Sequence, residues 1–326
     1  MKPRIAIGIP AKNGTTHLQE AISSACNQTE SADEIVIFVH GGTDPTEEIN
    51  SNFPRVAVVF DKTPFAIGDA WNRIYQIAKC EWVLMLHADD ILSTNAVAVL
   101  KDLLFSAGAS IDLVVGRTLL FGDDGEYLNF SEKVLQKVGQ DLLTSAIRGF
   151  LPGMSGMCAR RDLMCADPFR SDLRIMLDIE FYLRWFSRHQ CSVIAPVLAN
   201  YRIHAASTLQ TSGANWRDDI ELLRSQFIAD ELDADLRPAF AAIINRYQFL
   251  DVLECLRHGA NCGRLRLGFV TNREKIEIWT MPGLSIGAKF ICFLFDFGDI
   301  GQFVARLAVR TQELFSINSR FRSLFS

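Results

Sequence analysis

Short runs rich in Val and Ile recur along the first hundred residues, at Arg4 to Ile9, Glu34 to Val39, Val56 to Phe60 and Trp82 to Leu86. Each is too short for a helix and too continuously apolar for a strand with one wet face, so each reads as a strand covered on both sides. Between the first two runs, Leu18, Ala21, Ile22 and Ala25 share one helical face, and Thr16-His17-Leu18-Gln19 has the form of a capping box. Between the last two, Ala70, Ile74, Ile77 and Ala78 repeat at helical spacing. Strands and helices in alternation predict an α/β fold, a mostly parallel sheet with helices on both faces.

The pattern changes after residue 105. Asp112 to Thr118 reads as a further strand, followed by a polar turn at Gly122-Asp123-Asp124-Gly125. Leu151 to Arg161, rich in Gly and Met, is expected to be a close-packed loop lining a pocket. Arg174 to Arg188 reads as a helix, and Ser192 to Ile203 as a last strand ending at His204. From Ala214 the reading is helical: Trp216, Ile220, Leu223 and Phe227 form one stripe, and Phe240, Ile243, Ile244 and Tyr247 continue it. These changes divide the chain into an α/β domain over residues 1–210, with halves at 1–105 and 106–210, and a helical C-terminal extension over residues 211–326.

The tail from Leu284 to Ser326 stands out for its phenylalanines. Its uncharged stretches, Phe290 to Phe295 among them, are too short to span a bilayer. Phe303 and Leu307 beside Arg306, Arg310, Arg320 and Arg322 are compatible with a helix lying on a membrane surface. Packing against the first domain or a second subunit, as in a homodimer, is the simpler use of such a face.

Composition narrows the classes. With 326 residues, 49% hydrophobic and 22% charged, the chain can bury a large core. A net charge of -5 gives no concentrated basic surface, so nucleic acid is excluded as a partner. Met1-Lys2-Pro3-Arg4 leads directly into a strand-like run with no apolar leader and cleavage site, which predicts a cytoplasmic protein. The eight cysteines, Cys26, Cys80, Cys158, Cys165, Cys191, Cys255, Cys262 and Cys292, form no Cys-x-x-Cys pair, and buried free thiols are expected.

The chemistry-bearing residues fall just past the strands. Pro10-Ala11-Lys12-Asn13, His40-Gly41-Gly42-Thr43-Asp44, Asp61-Lys62-Thr63 and His87-Ala88-Asp89-Asp90 each follow a carboxyl end, so a parallel sheet brings them to one edge. Open α/β sheets bind ligands at that edge, and its glycines allow a nucleoside diphosphate to approach the backbone. Gly8 and Gly14 do not make the dinucleotide turn, and no P-loop is present. Adjacent Asp89 and Asp90 can hold a divalent cation against a phosphate. Equally, they can begin a turn ahead of the capping residues Ser93, Thr94 and Asn95.

Taken in order, these segments resemble family 2 of the glycosyltransferases, inverting enzymes of GT-A fold. "IPAKNGTTHLQEAISSACNQT" resembles the family's first strand, turn and helix, and "DEIVIFVHGGTDPT" its second strand and turn. "GDAWNRIYQIAKCEWVLMLHADDIL" resembles the helix and strand that lead to its Asp-x-Asp motif, while "LDIEFYLRW" and "YRIHAAS" resemble the acceptor-side helix and closing strand. The likeness runs from about residue 4 to residue 208.

The resemblance implies a nucleoside diphosphate sugar donor, UDP-linked in the first instance, and a Mn²⁺ or Mg²⁺ ion. It implies that Asp89 binds the ion, with Asp90 second and His204 close to the diphosphate and metal. Pro10, Ala11, Asn13, His40, Asn72, His87, Ala88 and Asp89 would surround the nucleotide, and Asp178 would be the general base. Read without the family, Asp178 is also a plausible helix cap, although Ile175, Met176, Leu177 and Ile179 around it predict a partly buried carboxylate with a raised pKa. Glu180 reads as a solvated or structural neighbour.

Two positions depart from the family pattern. Val39 and His40 stand where two aspartates commonly precede the turn, and His87 stands at the first position of Asp-x-Asp. The implied function is metal-dependent glycosyl transfer to a saccharide or lipid-linked saccharide acceptor in surface polysaccharide assembly, in the cytoplasm or peripheral at the inner membrane face. The departures keep a second reading open, a catalytically weak nucleotide-sugar binding protein of the same fold. A nucleotidyltransferase is disfavoured because no glycine- and lysine-rich loop follows the first strand.

Overall fold

The computed structural model describes residues 2–13, 17–122, 153–204 and 215–228, with single positions at 236, 240 and 244. By internal contacts the chain separates into two compact units, Met1–Asp219 and Ile220–Ser326. The turn at residues 123–125, Ile243, Tyr247 and the phenylalanine-rich tail lie outside the described residues.

The four apolar runs form parallel strands: β1 (Ile5–Lys12), β2 (Glu34–His40), β3 (Ala57–Asp61) and β4 (Trp82–Met85), side by side as β3-β2-β1-β4. Crossovers α1 (Leu18–Cys26), α2 (Thr46–Asn52) and α3 (Ile67–Ile77) connect them. The remaining elements are β5 (Ile91–Leu92), α4 (Ala96–Ala107), β6 (Leu113–Gly122), β7 (Met157–Arg160), α5 (Arg161–Ala166), α6 (Leu177–Arg188), β8 (Cys191–Ile203) and α7 (Asn215–Ile228). Among the described residues the eight strands join one sheet, ordered β3-β2-β1-β4-β7-β6-β8-β5.

Alternation along β1 shows why both faces are covered. Ile5, Ile7, Ile9 and Ala11 share a core with Leu18, Ala21, Ile22 and Ala25 of α1 and with Val97, Leu100 and Leu104 of α4. The opposite face meets α3. There Gly8 lies so close that a Cβ would fall 2.1 Å from Ile74 Cγ2, so glycine is needed for the helix to seat.

Several expectations change. The stretch read as a pocket loop from Leu151 to Arg161 contains β7, which runs antiparallel between β4 and β6. Gly153 and Gly156 give that stretch its loop-like composition, but Met157, Cys158 and Ala159 are fully buried, and Cys158 and Ala159 pair on both sides. The strand expected at residues 112–118 extends to Gly122, because it pairs along its length with β8. At the start of α1, His17 occupies the cap position without a side-chain bond, and Thr16 lies outside the described residues.

Burial of the thiols is also only partly as expected. Among the described cysteines Cys80 and Cys158 are buried, Cys191 is half-buried, and Cys26 and Cys165 are exposed; all five are free. Both exposed thiols lie in the last turn of a helix, α1 or α5, and the Cys165 sulfur faces the Tyr75 carbonyl of α3 at 3.7 Å.

Candidate active site

Parallel pairing sets the ends of β1, β2, β3 and β4 along one edge, with Lys12 opposite His40 and His40 opposite Asp61. The first two ends interlock. Asn13 adopts a left-handed backbone (φ 59°) and donates its N–H to the His40 carbonyl at 3.0 Å. Gly41 and Gly42 follow at φ 70° and 69°, with Asn13 Oδ1 only 2.6 Å from where a Cβ on Gly41 would sit. Any side chain at Gly41 would therefore be strained in backbone and blocked in space. Ala11 and Ala88 have their methyl groups in the core and Pro10 is buried, so these three offer a ligand mainly backbone.

His40 is nearly enclosed. Its ring stacks on Phe38 with centroids 5.7 Å apart and meets Phe65 edge-on, and Nδ1 accepts the Phe65 N–H at 3.0 Å. Burial, reinforced by the Lys12 charge and opposed by Asp61, holds its pKa below the usual histidine value. The neutral ring thus fastens the connection between β3 and α3 and leaves Nε2 for any further partner. Asn72 has a comparable structural task, pairing through its amide with both the N–H and the C=O of Phe169 at 2.9 and 2.8 Å.

Past β4 the chain turns through His87, Ala88, Asp89 and Asp90. Asp90 is 1% exposed, and both of its oxygens are engaged. Oδ1 accepts the Arg202 N–H at 2.9 Å, and Oδ2 accepts the Ser155 hydroxyl. Burial, helped by the neighbouring Asp89 charge, pushes its pKa up to about 7 against those two bonds. Asp89 differs: its side chain is 32% exposed and meets His204 Nε2 at 3.0 Å. Arg202 anchors the turn from β8, donating Nε–H to the Asp89 carbonyl at 3.0 Å and pairing with Glu20.

His87 lies flat against Trp71, with ring centroids 4.8 Å apart and planes inclined by 24°. Its Nε2 is buried without a hydrogen-bond partner among the described residues. Burial lowers its pKa against the opposing charge of Asp89, so the ring is neutral and keeps a lone pair. One ligand atom each from His87, Asp89 and Asp90 lies within 4.8 Å of the others. A neutral imidazole whose Nδ1 lies 3.8 Å from Asp90 Oδ2, grouped with two carboxylates, is a donor set that fits a divalent cation, and mixed nitrogen and oxygen ligands suit Mn²⁺ better than Mg²⁺.

Asp178 is the second residue of α6, where Met176 is the cap position, so it is not the helix cap. It is half-buried, and Oδ1 accepts the Ile179 N–H at 2.7 Å. Burial lifts its pKa to about 6 although backbone N–H groups oppose the shift. Glu180 is not solvated: it is 4% exposed and pairs with Arg184, which also binds Asp167. The hydroxyl of Tyr201 is held above its ordinary pKa by burial and by the charges of Asp90, Asp89 and Asp178. One phenol therefore feels both the candidate metal turn and the candidate base.

Residues 6–161 match the model for glycosyl transferase family 2. The chain carries a family 2 glycosyltransferase domain. It is 33% identical over 104 residues to chondroitin synthase of Escherichia coli, a match covering 31% of this chain and 15% of that protein. Hyaluronan synthase of Pasteurella multocida is 36% identical over 107 residues, again 31% of this chain but 11% of the relative. The chain therefore spans only a small part of those synthases. An uncharacterised glycosyltransferase of Rickettsia typhi is 25% identical over 235 residues, covering 69% of this chain and 72% of the relative. Among solved structures, residues 1–349 of TarS from S. aureus with UDP-GlcNAc superimpose with a TM-score of 0.60 at 15% identity, over 95% of this chain and 92% of that one. At that identity the likeness establishes a shared GT-A type fold.

The glycosyltransferase domain thus groups His87, Asp89, Asp90 and His204 at one place and Asn13 with His40 at the neighbouring strand ends. Trp71, Ser155, Tyr201 and Arg202 were not singled out from sequence. Ser155, between Gly153 and Gly156 in a run of small residues, had the nearest thing to a signal. No helix among the described residues is long and apolar enough to cross a membrane.

Proposed function

We propose that residues 1–210 form the catalytic domain of an inverting glycosyltransferase that moves a sugar from a nucleoside diphosphate donor to a saccharide acceptor, free or lipid-linked, in surface polysaccharide assembly. The observation that carries this reading is the pairing of a half-exposed Asp89, set against His87 and His204, with a half-buried Asp178 whose pKa is lifted to about 6. A donor carrying UDP is supported by the fold shared with a protein captured with UDP-GlcNAc.

Each residue then has a task. Asp89 carries the part-exposed carboxylate of the turn, in contact with His204, and with His87 and His204 it would hold the divalent cation. That cation, when bound, supplies Lewis-acid stabilisation of the departing diphosphate. Asp90 and Ser155 fix the turn from beneath, and Arg202 fixes it from β8. Asp178 takes the proton from the attacking acceptor hydroxyl; a carboxylate with a pKa near 6 is mostly deprotonated at neutral pH yet more basic than an ordinary aspartate.

Thermal denaturation with UDP, GDP, dTDP and ADP, each with Mn²⁺ and with Mg²⁺, tests the donor and ion. UDP with Mn²⁺ is expected to stabilise most, by about 2.7 kcal/mol at 100 times its dissociation constant. Replacing His40 by Asp should change the ranking of the bases. No shift with any nucleotide in the presence of either ion would contradict the reading.

A further inference from the structure

We propose that Asp219 is a positioning residue for Asp178, an inference that rests on the base assignment above. Asp219 belongs to α7 and is 2% exposed. Its Oδ2 accepts the backbone N–H of Arg174, Ile175 and Met176 at 2.9, 2.6 and 2.8 Å, and Oδ1 takes a second bond from Arg174 N at 3.1 Å. Three consecutive amides leading into α6 thus converge on one buried carboxylate from another helix.

Helix geometry makes this placement consequential. The first N–H groups of a helix have no partner within it, and the cap residue of α6, Met176, has no side chain to satisfy them. Asp219 does not reach those amides; it fixes the three that lead up to and include the cap residue, Arg174, Ile175 and Met176, and puts a negative charge near the positive end of the helix. Asp178 lies two residues beyond the last amide held, and its carboxylate is turned by its bond to Ile179 N. The position of the Asp178 oxygens therefore follows from where Asp219 fixes the backbone.

The rest of α6 is held independently. Arg184 joins Glu180 to Asp167, and the Trp185 indole donates to the Asp167 carbonyl at 3.1 Å. Phe181 stacks on Trp185 and packs on Phe169. Removing the Asp219 carboxylate releases the entry and first turn while the body of the helix stays anchored. A general base works only within hydrogen-bond reach of its proton, and a displacement of about 1 Å costs on the order of 10²-fold in rate.

The test is a double-mutant cycle in the full chain, with Asp219→Ala, Asp178→Asn and both together, reading transfer kcat, donor dissociation constant and melting temperature. Asp219→Ala should lower kcat about 10- to 100-fold with donor affinity within about twofold. In the Asp178→Asn background the same change should cost almost nothing further, because no base remains to be positioned. Multiplicative losses, or an unchanged kcat with only a lower melting temperature, would make Asp219 purely structural and overturn the proposal. If Asp219→Ala does not fold, Asp219→Asn, which keeps one acceptor oxygen, takes its place in the same cycle with a smaller expected loss. If Asp178→Asn alone retains transfer, the base assignment itself fails, an outcome distinct from failure at Asp219.

Discussion

Asp178→Asn is expected to abolish most transfer while leaving donor binding intact. Asparagine keeps the size of the side chain and one oxygen for the Ile179 N–H, so the first turn of α6 survives. What disappears is the proton acceptor, and general bases contribute roughly 10² to 10⁴ in rate. An interaction made only in the transition state lowers kcat without weakening ground-state binding. The pH profile gives a second check. Burial raises the folded-state pKa of Asp178 to about 6, so the base is lost as pH falls through that value. Wild-type kcat should therefore decline below about pH 6, where an ordinary aspartate would stay active to about pH 4. Transfer by the variant within about threefold of wild type, at saturating donor and acceptor, would remove Asp178 from the chemistry.

Asp89→Ala should eliminate cation-dependent donor binding and leave the fold unchanged. The side chain is part exposed, and the Asp89 contact made to Arg202 uses the backbone carbonyl, which alanine retains. Asp90→Ala should behave differently. It would strand the Ser155 hydroxyl and the Arg202 N–H in a buried site, at a cost of about 1 to 3 kcal/mol for each unsatisfied group. Nucleotide titration with and without Mn²⁺, followed by circular dichroism, separates the two variants. Undiminished Mn²⁺-dependent affinity in Asp89→Ala would sink the metal assignment.

The strands and the turn after β4 were legible because burial on two faces writes itself as a short apolar run, and a parallel sheet puts the ends of such runs together. β7 was not, since a four-residue strand that follows glycines has too little length to show a period. The residues that brace the site were hidden for another reason. Ser155 and Arg202 reach the Asp90 turn from 65 and 112 positions away in sequence, and Asp219 reaches Arg174 across 45. Trp71 reads as one more position on an apolar helix and declares itself only through the ring of His87. Sequence showed which groups could perform chemistry; tertiary contacts decide which are free to do so, as the contrast between a committed Asp90 and an available Asp89 illustrates.

The decisive measurement is nucleotide release from UDP-GlcNAc and related UDP-sugars, with Mn²⁺ and a panel of saccharide acceptors, followed by NMR of the anomeric proton of the product. Release is expected to require both acceptor and cation, to stop on chelation, and to yield a product of inverted anomeric configuration. Donor binding without acceptor-dependent release, or a product that retains the donor configuration, would contradict the proposed function.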